Sequence, residues 1–502
     1  MTLSEILSGV TVIKLFHMMF GRMVVTHDLE ITGIRYDSRT VTQNNLFVAI
    51  RGTAVNGHAY IEEAIHRGAK AVIVEDDAAM PDSFFMHAGV AKIVVEDSRK
   101  TLADVSANFY RHPAGSMKVI GVTGTNGKTT TTCLIKSILQ AAGENVGLLG
   151  TIGYSVGDTI LPATHTTPES LELQQVLREM ADRGCTTVVM EVSSHSLVMS
   201  RVRGLNFAVG VFTNLTQDHL DFHGTMEEYF LAKQMLFKSL SPAAHAVVNN
   251  DDAYGKRILA SVQGKKVTFG LSPEADVSAS GLEMRFDETN FTVSHRGQTS
   301  RVHSSLIGSF NVQNILASYA AGVALGVSEE TIRAGIGALH PVRGRFEQVA
   351  SPRGWTAVID YAHTPDALEN CLRTIGLMMP QPRRERIITL FGCGGNRDRG
   401  KRPLMGRIAS SLSDKTIISS DNPRNEDPLA IMNDIAGGII PGADVEMEPD
   451  RKKAIRLALG IARSGDVVLI AGKGHEDYKI IGERKIHLDD REEVKAFIRG
   501  EA

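Results

Sequence analysis

The sequence predicts an α/β protein of three domains: an N-terminal α/β domain, a central domain with a mostly parallel sheet like that of P-loop ATPases, and a C-terminal Rossmann-like domain. The first observation behind this prediction is length, because 502 residues suggest about three domains. The second is that short apolar runs alternate with helical patterns, as in parallel sheets. The third is a glycine-rich turn that follows one apolar run and opens a helix.

Two segments are predicted to separate the domains. The segment Arg111 to Met117 has the Pro/Gly/Ser character of a linker, and Pro341 to Arg345 forms a second joint. We therefore place the domains at residues 1–114, 115–343 and 344–502. The predicted strands, in chain order, are 46–50, 71–74, 92–95, 117–122, 186–190, 207–212, 244–248, 357–359, 387–391, 416–419 and 467–470.

The composition is that of an ordinary globular protein. Hydrophobic residues make up 43% and charged residues 22% of the chain, and the formal net charge is −3, which gives no reason to expect a nucleic-acid partner. The four cysteines form no C-x-x-C pair, which argues against a disulfide framework and fits a reducing compartment. Because the N-terminal apolar residues are interrupted by Lys14, His17 and Arg22, neither a signal peptide nor a membrane span is predicted. We expect a soluble, cytoplasmic monomer.

The run GVTGTNGKTTT, from Gly121 to Thr131, carries the strongest functional signal. A strand, a glycine-rich turn and a helix N-terminus form a cradle for phosphate, in which backbone N–H groups face the anion. Lys128 is predicted to neutralise β/γ-phosphate oxygens, and Thr129 to place its hydroxyl on Mg²⁺. The strict pattern has glycine where Val122 stands, so this is a variant loop. It predicts nucleotide binding.

Polar residues follow two other strands of the central block. Glu191 ends one strand and is either a Mg²⁺ ligand or a solvated carboxylate. The segment Thr213 to Gly224 crowds two aspartates and two histidines but lacks zinc-binding spacing, and its His219 could simply form hydrogen bonds. Lys233 lies in an aromatic-rich helical pattern, where a lysine usually extends to water.

Three polar loops follow strands of the last block. The loop Phe391 to Arg402 imitates a phosphate loop but ends in arginine, which indicates an anion-binding loop rather than a second ATP site. The segment Asp421 to Pro428 has the composition of a turn before a helix. The loop Ala471 to Tyr478 contains Lys473, His475 and Glu476. Together they predict a substrate pocket at one edge of the sheet.

Taken together, the strings GTNGKTT, HTTPES, EVSSHSL, FTNLTQDHLDFHG, DYAHTPDAL, FGCGGNRDRGKRPLMG, DNPR and AGKGHE resemble the Mur ligases of bacterial peptidoglycan synthesis over nearly the whole chain. The resemblance implies an ATP- and Mg²⁺-dependent amide ligase with an N-terminal UDP-substrate domain. Its implied reaction adds meso-2,6-diaminopimelate to the D-glutamate γ-carboxylate of UDP-N-acetylmuramoyl-L-alanyl-D-glutamate, through an acyl phosphate.

The resemblance also implies the site residues. Those for ATP are Gly124, Thr125, Asn126, Gly127, Lys128, Thr129, Thr130, Asn314, Arg345 and Asp360. Those for the UDP-muropeptide are Tyr36, Ser38, Thr53, Ala54, Val55, His165, Thr166, Thr167, Ser193, Met199 and Arg201. Those for the incoming diamino acid are Arg397, Asp421, Asn422, Pro423, Arg424, Gly472 and Glu476. Those for Mg²⁺ are Thr129, Glu191, His219 and Lys233, the last as an N-carboxylated lysine; Lys128, Lys233, His219 and Glu191 form the implied catalytic set.

Two of these positions depart from the family's pattern, and three other functions are weighed against the implied one. Relatives often carry Gln at Met199 and Asn at His165. A regulatory GTPase would need a guanine-reading N-K-x-D string, which does not occur here. A folylpolyglutamate synthetase-like ligase shares the phosphate loop, but the YDSR and DNPR strings argue against it. An L-lysine-adding ligase of the same family differs only in its acceptor.

Overall fold

A computed structural model of the chain shows the fold. It describes all residues except 20–21, 24–28, 53–54, 157–158, 162, 164, 381 and 501–502. The described chain divides into two compact units. The first consists of Met1–Gly121 with Glu144–Ala208, and the second of Val122–Gly143 with Val209–Ala502.

In its described residues, the N-terminal part of the first unit contains a five-stranded sheet flanked by helices, and a separate two-stranded sheet formed by its second and third strands. Its strands are β1 (Lys14–Phe16), β2 (Met18–Met19), β3 (Arg22–Met23), β4 (Gly33–Arg35), β5 (Asn45–Val48), β6 (Ala69–Val74) and β7 (Ala91–Val94). Its helices are α1 (Leu3–Ile6), α2 (Ile61–His66), α3 (Asp82–Ala88) and α4 (Ser98–Phe109). The sheet order is β1-β7-β6-β5-β4, in which β4 to β7 are parallel and β1 is an antiparallel edge.

Successive residues of these strands enter different cores, as the pleat requires. Leu46 and Val48 pack in one core with residues of α1 and α4. Phe47 of the same strand packs in a second core with residues of α2 and α3. The helices therefore cover both faces of the sheet, which explains why its strands read as continuous apolar runs.

The middle of the chain contributes to both units. Its strands are β8 (Lys118–Thr123), β9 (Val146–Gly150), β10 (Gly153–Val156), β11 (Thr159–Leu161), β12 (Thr187–Glu191), β13 (Phe207–Phe212), β14 (His245–Asn249), β15 (Lys265–Gly270), β16 (Val277–Met284), β17 (Thr289–His295) and β18 (Gln298–Ser304). Its helices are α5 (Lys128–Ala141), α6 (Ser170–Asp182), α7 (Ser194–Val198), α8 (Leu220–His223), α9 (Met226–Lys238), α10 (Ala253–Ser261), α11 (Ser309–Ala324) and α12 (Glu329–Ala338).

Both units combine parallel and antiparallel strands in this region. In the first unit, β9 and β12 are parallel, while β10 runs antiparallel to β9 and β11. In the second unit, β13 to β16 are parallel, but β16, β17 and β18 form an antiparallel meander. The parallel part agrees with the predicted sheet, whereas the meander is an addition that the apolar pattern did not predict.

The last part of the chain is the predicted Rossmann-like fold. Its strands are β19 (Glu347–Ala350), β20 (Thr356–Asp360), β21 (Ile387–Phe391), β22 (Lys415–Ser419), β23 (Val445–Glu448), β24 (Val467–Ala471), β25 (Tyr478–Ile481) and β26 (Arg484–His487). Its helices are α13 (Pro365–Met378), α14 (Lys401–Leu412), α15 (Pro428–Ala436), α16 (Arg451–Gly460) and α17 (Asp490–Arg499). The sheet order is β19-β20-β24-β21-β22-β23, with only β19 antiparallel, and β25 and β26 form a separate hairpin.

Helices cover both faces of this sheet as well. Leu469 of β24 packs with residues of α13 to α15, and its neighbour Ile470 packs with residues of α16 and α17. The loops after β20, β21, β22 and β24 consequently share the carboxyl edge of the sheet, where ligands bind in open α/β folds. Within the described part of the chain, no helix is both long and apolar enough to cross a bilayer.

Candidate active site

The loop between β8 and α5 has the shape that the glycine-rich motif predicts. Gly124 and Gly127 both have positive φ, at 154° and 85°. A Cβ on Gly124 would lie 1.8 Å from Thr213 Oγ1, and one on Gly127 would lie 2.2 Å from Asn314 Oδ1. No residue other than glycine fits this backbone at either position. The strand, loop and helix predicted from the sequence are therefore present.

The segment after β13 fixes this loop in place. Asn214 accepts the backbone N–H of Thr125 through its carbonyl and that of Asn126 through its side-chain oxygen, both at 2.9 Å. The Thr213 hydroxyl donates to the Asn126 carbonyl at 2.6 Å. Helix α5 begins directly after Gly127 with no side-chain cap, so the positive end of its dipole faces the loop.

Two lysines reach the same loop carbonyl. Lys128 Nζ donates to the carbonyls of Gly124 and Thr125, at 3.0 Å each. Lys233 Nζ, on α9, donates to the Gly124 carbonyl at 2.7 Å and lies 4.5 Å from the centre of the Tyr229 ring. The side chain of Lys233 is only 1% exposed, so the expectation that it extends to water is wrong. Burial, together with the charge of Lys128, holds the pKa of Lys233 well below its usual value.

The other residues expected at ATP lie around this loop. Arg345 donates to the Thr129 hydroxyl at 3.0 Å, and its guanidinium lies 4.6 Å from the centre of the Tyr361 ring. Asn314 lies on α11 against Gly127. Asp360, at the end of β20, accepts the backbone N–H of Phe346 at 2.6 Å, and burial raises the pKa of Asp360. Asp360 therefore contacts Phe346, the residue that follows Arg345, at the second predicted joint.

His219 lies beside a buried carboxylate rather than in an open loop. His219 has positive φ (55°), and its Nε2 is 3.3 Å from Asp218 Oδ2. Asp218 also pairs with Lys401 Nζ at 3.3 Å and with His363 Nε2 at 3.5 Å. Burial alone would raise the pKa of Asp218, but Lys401, His363 and His219 together hold that pKa well below its usual value.

This pairing corrects the interpretation of the loop 391–402 as an anion site built on Lys401. Lys401 is buried against Asp218, and Arg402 is fully buried between Glu426 and Asp434, at 2.9 Å from each. Their positive charges are balanced by carboxylates within the protein, because a buried cation must be paired. Within this loop, Arg397 stays exposed and donates to the carbonyl of Asn396 at 2.9 Å.

Glu191 is buried at the end of β12, in the first unit, and is not a solvated carboxylate. Its two carboxylate oxygens accept the N–H and the hydroxyl of Thr151, at 2.8 and 3.1 Å. The Thr167 hydroxyl donates to the Glu191 carbonyl at 2.8 Å. Among the described residues, no group of three or more His, Cys, Asp or Glu side chains is arranged to hold a metal ion.

Several residues expected at the UDP-muropeptide form one cluster in the first unit. Arg201 donates to the Thr167 carbonyl at 3.0 Å and to Met199 Sδ at 3.5 Å, and the hydroxyls of Thr167 and Ser193 are 3.4 Å apart. Arg201 Nε also lies 3.3 Å from Glu169, a residue of the HTTPES string to which the sequence analysis gave no role.

Two neighbours complete this cluster. The Thr166 hydroxyl lies 3.1 Å from the hydroxyl of Thr151, and the carbonyl of His165 accepts from Tyr154 at 2.7 Å. Burial, aided by Arg201, lowers the pKa of His165 below its usual value. The imidazole is therefore predominantly neutral at pH 7.

The N-terminal residues of this set are more dispersed. The Tyr36 hydroxyl donates to Glu172 at 2.9 Å, and the Ser38 hydroxyl donates to Glu63 at 2.8 Å. Val55 is exposed, while Thr53 and Ala54 lie outside the described residues. Among the described residues of this set, Tyr36 is connected to the cluster around Arg201, because its partner Glu172 and the partner of Arg201, Glu169, both lie at the start of α6.

The residues expected to bind the diamino acid meet at the carboxyl edge of the last sheet. Asn422 Nδ2 donates to Glu476 Oε2 at 2.8 Å, and a Cβ on Gly472 would lie 3.0 Å from Asp421 Oδ2. Arg424, at positive φ (52°) directly after Pro423, donates to the Gly395 carbonyl at 2.9 Å. We call Asp421, Asn422, Arg424, Gly472 and Glu476 the acceptor cluster.

The charges of the acceptor cluster perturb one another. Burial and the charge of Asp421 raise the pKa of Glu476, whereas burial and the positive charge of Arg397 lower the pKa of Arg424. Lys473, which was noted in the sequence but given no role, lies fully buried among these residues. The sequence motif shows only a lysine in a glycine-rich loop, and one of the two carboxylates near it, Asp421, comes from a distant part of the chain.

Comparison with known proteins places these sites in a family. Residues 30–110, 122–322 and 344–474 match the family descriptions Mur ligase family, catalytic domain; Mur ligase middle domain; and Mur ligase, glutamate ligase domain. The chain is 48% identical over 493 residues to the UDP-N-acetylmuramoyl-L-alanyl-D-glutamate--2,6-diaminopimelate ligase of Geobacter metallireducens, with 94% of each protein covered.

Solved structures agree with this similarity. A structure of a ligase with that same name matches at a TM-score of 0.66 and 33% identity, over 95% of this chain and 96% of that one. The folylpolyglutamate synthase of Mycobacterium tuberculosis shares the fold at a TM-score of 0.62 and 17% identity, but covers only 74% of this chain. The chain belongs to the Mur ligase family.

Proposed function

We propose that this enzyme joins meso-2,6-diaminopimelate to the D-glutamate γ-carboxylate of UDP-N-acetylmuramoyl-L-alanyl-D-glutamate, with ATP converted to ADP and phosphate. One observation carries the proposal: successive contacts connect the phosphate loop with the acceptor cluster. Thr129 accepts from Arg345 at 3.0 Å, Arg345 stacks on Tyr361 with 4.6 Å to the ring centre, and the Tyr361 hydroxyl donates to Glu476 at 3.4 Å. A nucleotide site and an amino-acid site are thus side by side in one compact unit.

The residues at the phosphate loop suit the first chemical step. A γ-carboxylate oxygen of the peptide attacks the γ-phosphorus of ATP, and the bond between that phosphorus and the β,γ-bridging oxygen breaks. ADP departs, and the peptide now carries an acyl phosphate. Two anions must approach each other, so positive charge has to be supplied. Lys128 supplies this charge when its Nζ leaves the carbonyls of Gly124 and Thr125 and donates to phosphate oxygens instead.

The second step needs an amine and a dry site. The amine nitrogen of the incoming amino acid attacks the acyl carbon, phosphate leaves, and the amine gives up a proton. Water competes with the amine for the acyl phosphate, so the buried setting of the acceptor cluster favours ligation over hydrolysis.

The chemistry of the donor set is compatible with Mg²⁺. We propose that, within the second unit, the Thr129 hydroxyl, the His219 imidazole and a carbamate on Lys233 hold it. Bound there, Mg²⁺ supplies positive charge that offsets the repulsion between the phosphoryl group and the carboxylate. A lysine ammonium cannot bind a cation, so Lys233 fits this role only in its carboxylated form.

The environment of Lys233 supports that modification. A carbamate forms when a neutral amine attacks CO₂ and releases one proton. The burial of Lys233 and the nearby charge of Lys128 lower its pKa, which favours the neutral amine that reacts with CO₂. The carbamate then carries a negative charge beside the positive charge of Lys128, so the two side chains attract each other.

The acceptor cluster favours diaminopimelate over lysine. The two acceptors differ at the far end, where diaminopimelate carries an additional carboxylate. Arg424 and Arg397 are two neighbouring cations: burial lowers the pKa of Arg424, and repulsion from Arg397 lowers it further. A carboxylate relieves this repulsion and matches the planar guanidinium, whereas lysine leaves Arg424 without that partner.

The decisive experiment is an ATP-dependent ligation assay with the UDP-linked dipeptide and meso-diaminopimelate, L-lysine or D-glutamate as the acceptor. ADP release and the mass of the product are measured together. We expect diaminopimelate to be added with much the highest kcat/KM. Equal or greater kcat/KM for lysine would instead identify the lysine-adding relative, and glutamate addition to a folate would identify the synthetase-like alternative. A cytoplasmic location is part of this proposal, because the four buried cysteines form no C-x-x-C pair, which fits a reducing compartment.

A further inference from the structure

Lys473 occupies the centre of the acceptor cluster. Its side chain is fully buried, and its Nζ lies 3.4 Å from Asn422 Oδ1, 3.4 Å from Glu476 Oε2 and 3.6 Å from Asp421 Oδ1. It also donates to the Tyr478 carbonyl. One ammonium therefore connects three residues that come from two different loops of the sheet.

Several charged and polar groups surround Lys473. The groups that face Glu476 are Asp421, Lys473, Arg424, Arg451, Tyr361 and Tyr478. Arg451 is paired with Asp490 at 2.7 Å, and Arg424 donates to the Gly395 carbonyl. Lys473 is the cation that lies within 4 Å of both carboxylates, at 3.6 Å from Asp421 Oδ1 and 3.4 Å from Glu476 Oε2.

A buried carboxylate is costly unless a cation or a hydrogen-bond donor pairs with it. Lys473 pairs with Asp421 and Glu476 at the same time. Without Lys473, the two carboxylates lose the cation that they share, and the contact that holds one loop against the other is lost.

We propose that Lys473 is a positioning residue for the incoming amino acid: it holds Asp421 and Glu476 together at the site for the acceptor. Lys473 also fixes the Asn422 side chain, whose amide donates to Glu476 at 2.8 Å. This inference rests on the proposed function, because it concerns the site for the acceptor.

The test compares Lys473→Met with the double variant Lys473→Met/Asp421→Asn, which removes one charge of each sign. We expect the single variant to raise KM for meso-diaminopimelate at least tenfold, as the loss of a hydrogen bond to a charged group implies. KM for ATP should change less than twofold. The acid limb of kcat/KM for the acceptor should move to higher pH, because removing the ammonium raises the pKa of the remaining carboxylate pair.

The double variant distinguishes the effect of losing the Lys473 charge from the effect of disturbing the structure. Since its charge balance is restored, its acid limb should return towards that of the unmutated enzyme, and its thermal unfolding temperature should exceed that of the single variant. Lys485→Met is the matched control, because Lys485 is an exposed lysine of the neighbouring hairpin and should leave every parameter unchanged.

Two results would overturn the inference. One is an unshifted acid limb in Lys473→Met; the other is a double variant that unfolds at a lower temperature than the single variant. The second readout applies even if the single variant folds too poorly for assay. It also needs no ligation activity, so it distinguishes failure of this inference from failure of the proposed function, which the unmutated enzyme tests.

Discussion

Lys128 and Lys233 meet at the Gly124 carbonyl but have different chemical environments. Lys128 is only partly buried and contacts two loop carbonyls at 3.0 Å, so it can turn to a phosphate at little cost. Lys233 is buried, and burial together with the charge of Lys128 holds its pKa well below its usual value. The same residue type is therefore proposed to act as a cation at one position and as a site of modification at the other.

Replacing Lys128 by alanine should abolish useful ligation. The variant loses the cation that offsets charge on the transferred phosphoryl group, which costs about 3 kcal/mol, or roughly a hundredfold in rate. The measurement is the steady-state rate of ADP release with all three substrates present. Lys136→Ala, on the same helix, is the control and should retain normal turnover. Near-normal turnover in Lys128→Ala would remove this loop from the mechanism.

Lys233→Ala tests the carbamate. We expect an inactive variant that regains part of its activity when formate or acetate is added, because a small carboxylate replaces the missing anionic ligand. Ligation is measured across a series of acid concentrations. Lys238→Ala, an exposed lysine of the same helix, should neither lose activity nor respond to the acids. Full activity of Lys233→Ala in CO₂-depleted buffer would contradict the carbamate.

At the scale of elements, the position of the phosphate loop depends on Gly124. Gly124→Ala should abolish ATP binding, because the new Cβ would lie 1.8 Å from Thr213 Oγ1 and displace the loop. Gly143→Ala is a close control, since Gly143 also has positive φ (84°) but has no atom within 4 Å of its Cβ position. This control should cost only backbone strain, about 1–2 kcal/mol of unfolding free energy. Calorimetric titration with ATP measures the first effect, and unchanged affinity in Gly124→Ala would contradict it.

The sequence predicted the elements that are apolar and continuous, and missed those that are not. Strands β13 and β21 match their predicted bounds, 207–212 and 387–391, because both are buried apolar runs. Strand β18, with the sequence QTSRVHS, is largely exposed and polar, so its pairing in the meander left no periodic signal. Such a strand is defined by its neighbours rather than by its own residues.

The same distinction holds for the site. The phosphate loop was predictable because its glycines, lysine and threonine are contiguous and have a fixed chemical meaning. The burial of Lys233 and the pairing of Lys401 with Asp218 were not, because both depend on residues far apart in the sequence. Lys473 shows this most clearly, since its carboxylate partner Asp421 lies in another loop.

At the scale of the whole molecule, the second unit contains parts of two regions that match separate family descriptions: residues 122–143 and 209–322 of one, and residues 344–474 of the other. Polar contacts join them: Asn126 donates to Asp366 at 2.8 Å, Gln217 donates to Asp398 at 3.3 Å, and Lys401 pairs with Asp218 at 3.3 Å. The last of these is a buried ion pair. Breaking it by removing one partner leaves an uncompensated charge in the interior.

Lys401→Met should therefore destabilise the second unit by about 3–5 kcal/mol, because Asp218 keeps its charge without its main partner. The double variant Lys401→Met/Asp218→Asn should recover most of this loss, since an amide has no charge to compensate. Thermal and urea unfolding of the two variants measure the difference. Equal unfolding free energies for Lys401→Met and the unmutated protein would show that the pair does not join the regions.

The pH dependence of stability gives a second measure of the same pair. The pKa of Asp218 is lowered in the folded protein, so its stabilising effect is complete above the pKa of the unfolded chain, about 4. It is lost as the pH falls through the folded value. The double variant lacks this titration, so its unfolding free energy should fall less steeply than that of the unmutated protein on acidification below about pH 4. If the unfolding free energies of the two proteins fell equally steeply on acidification, the lowered pKa of Asp218 would not contribute to stability.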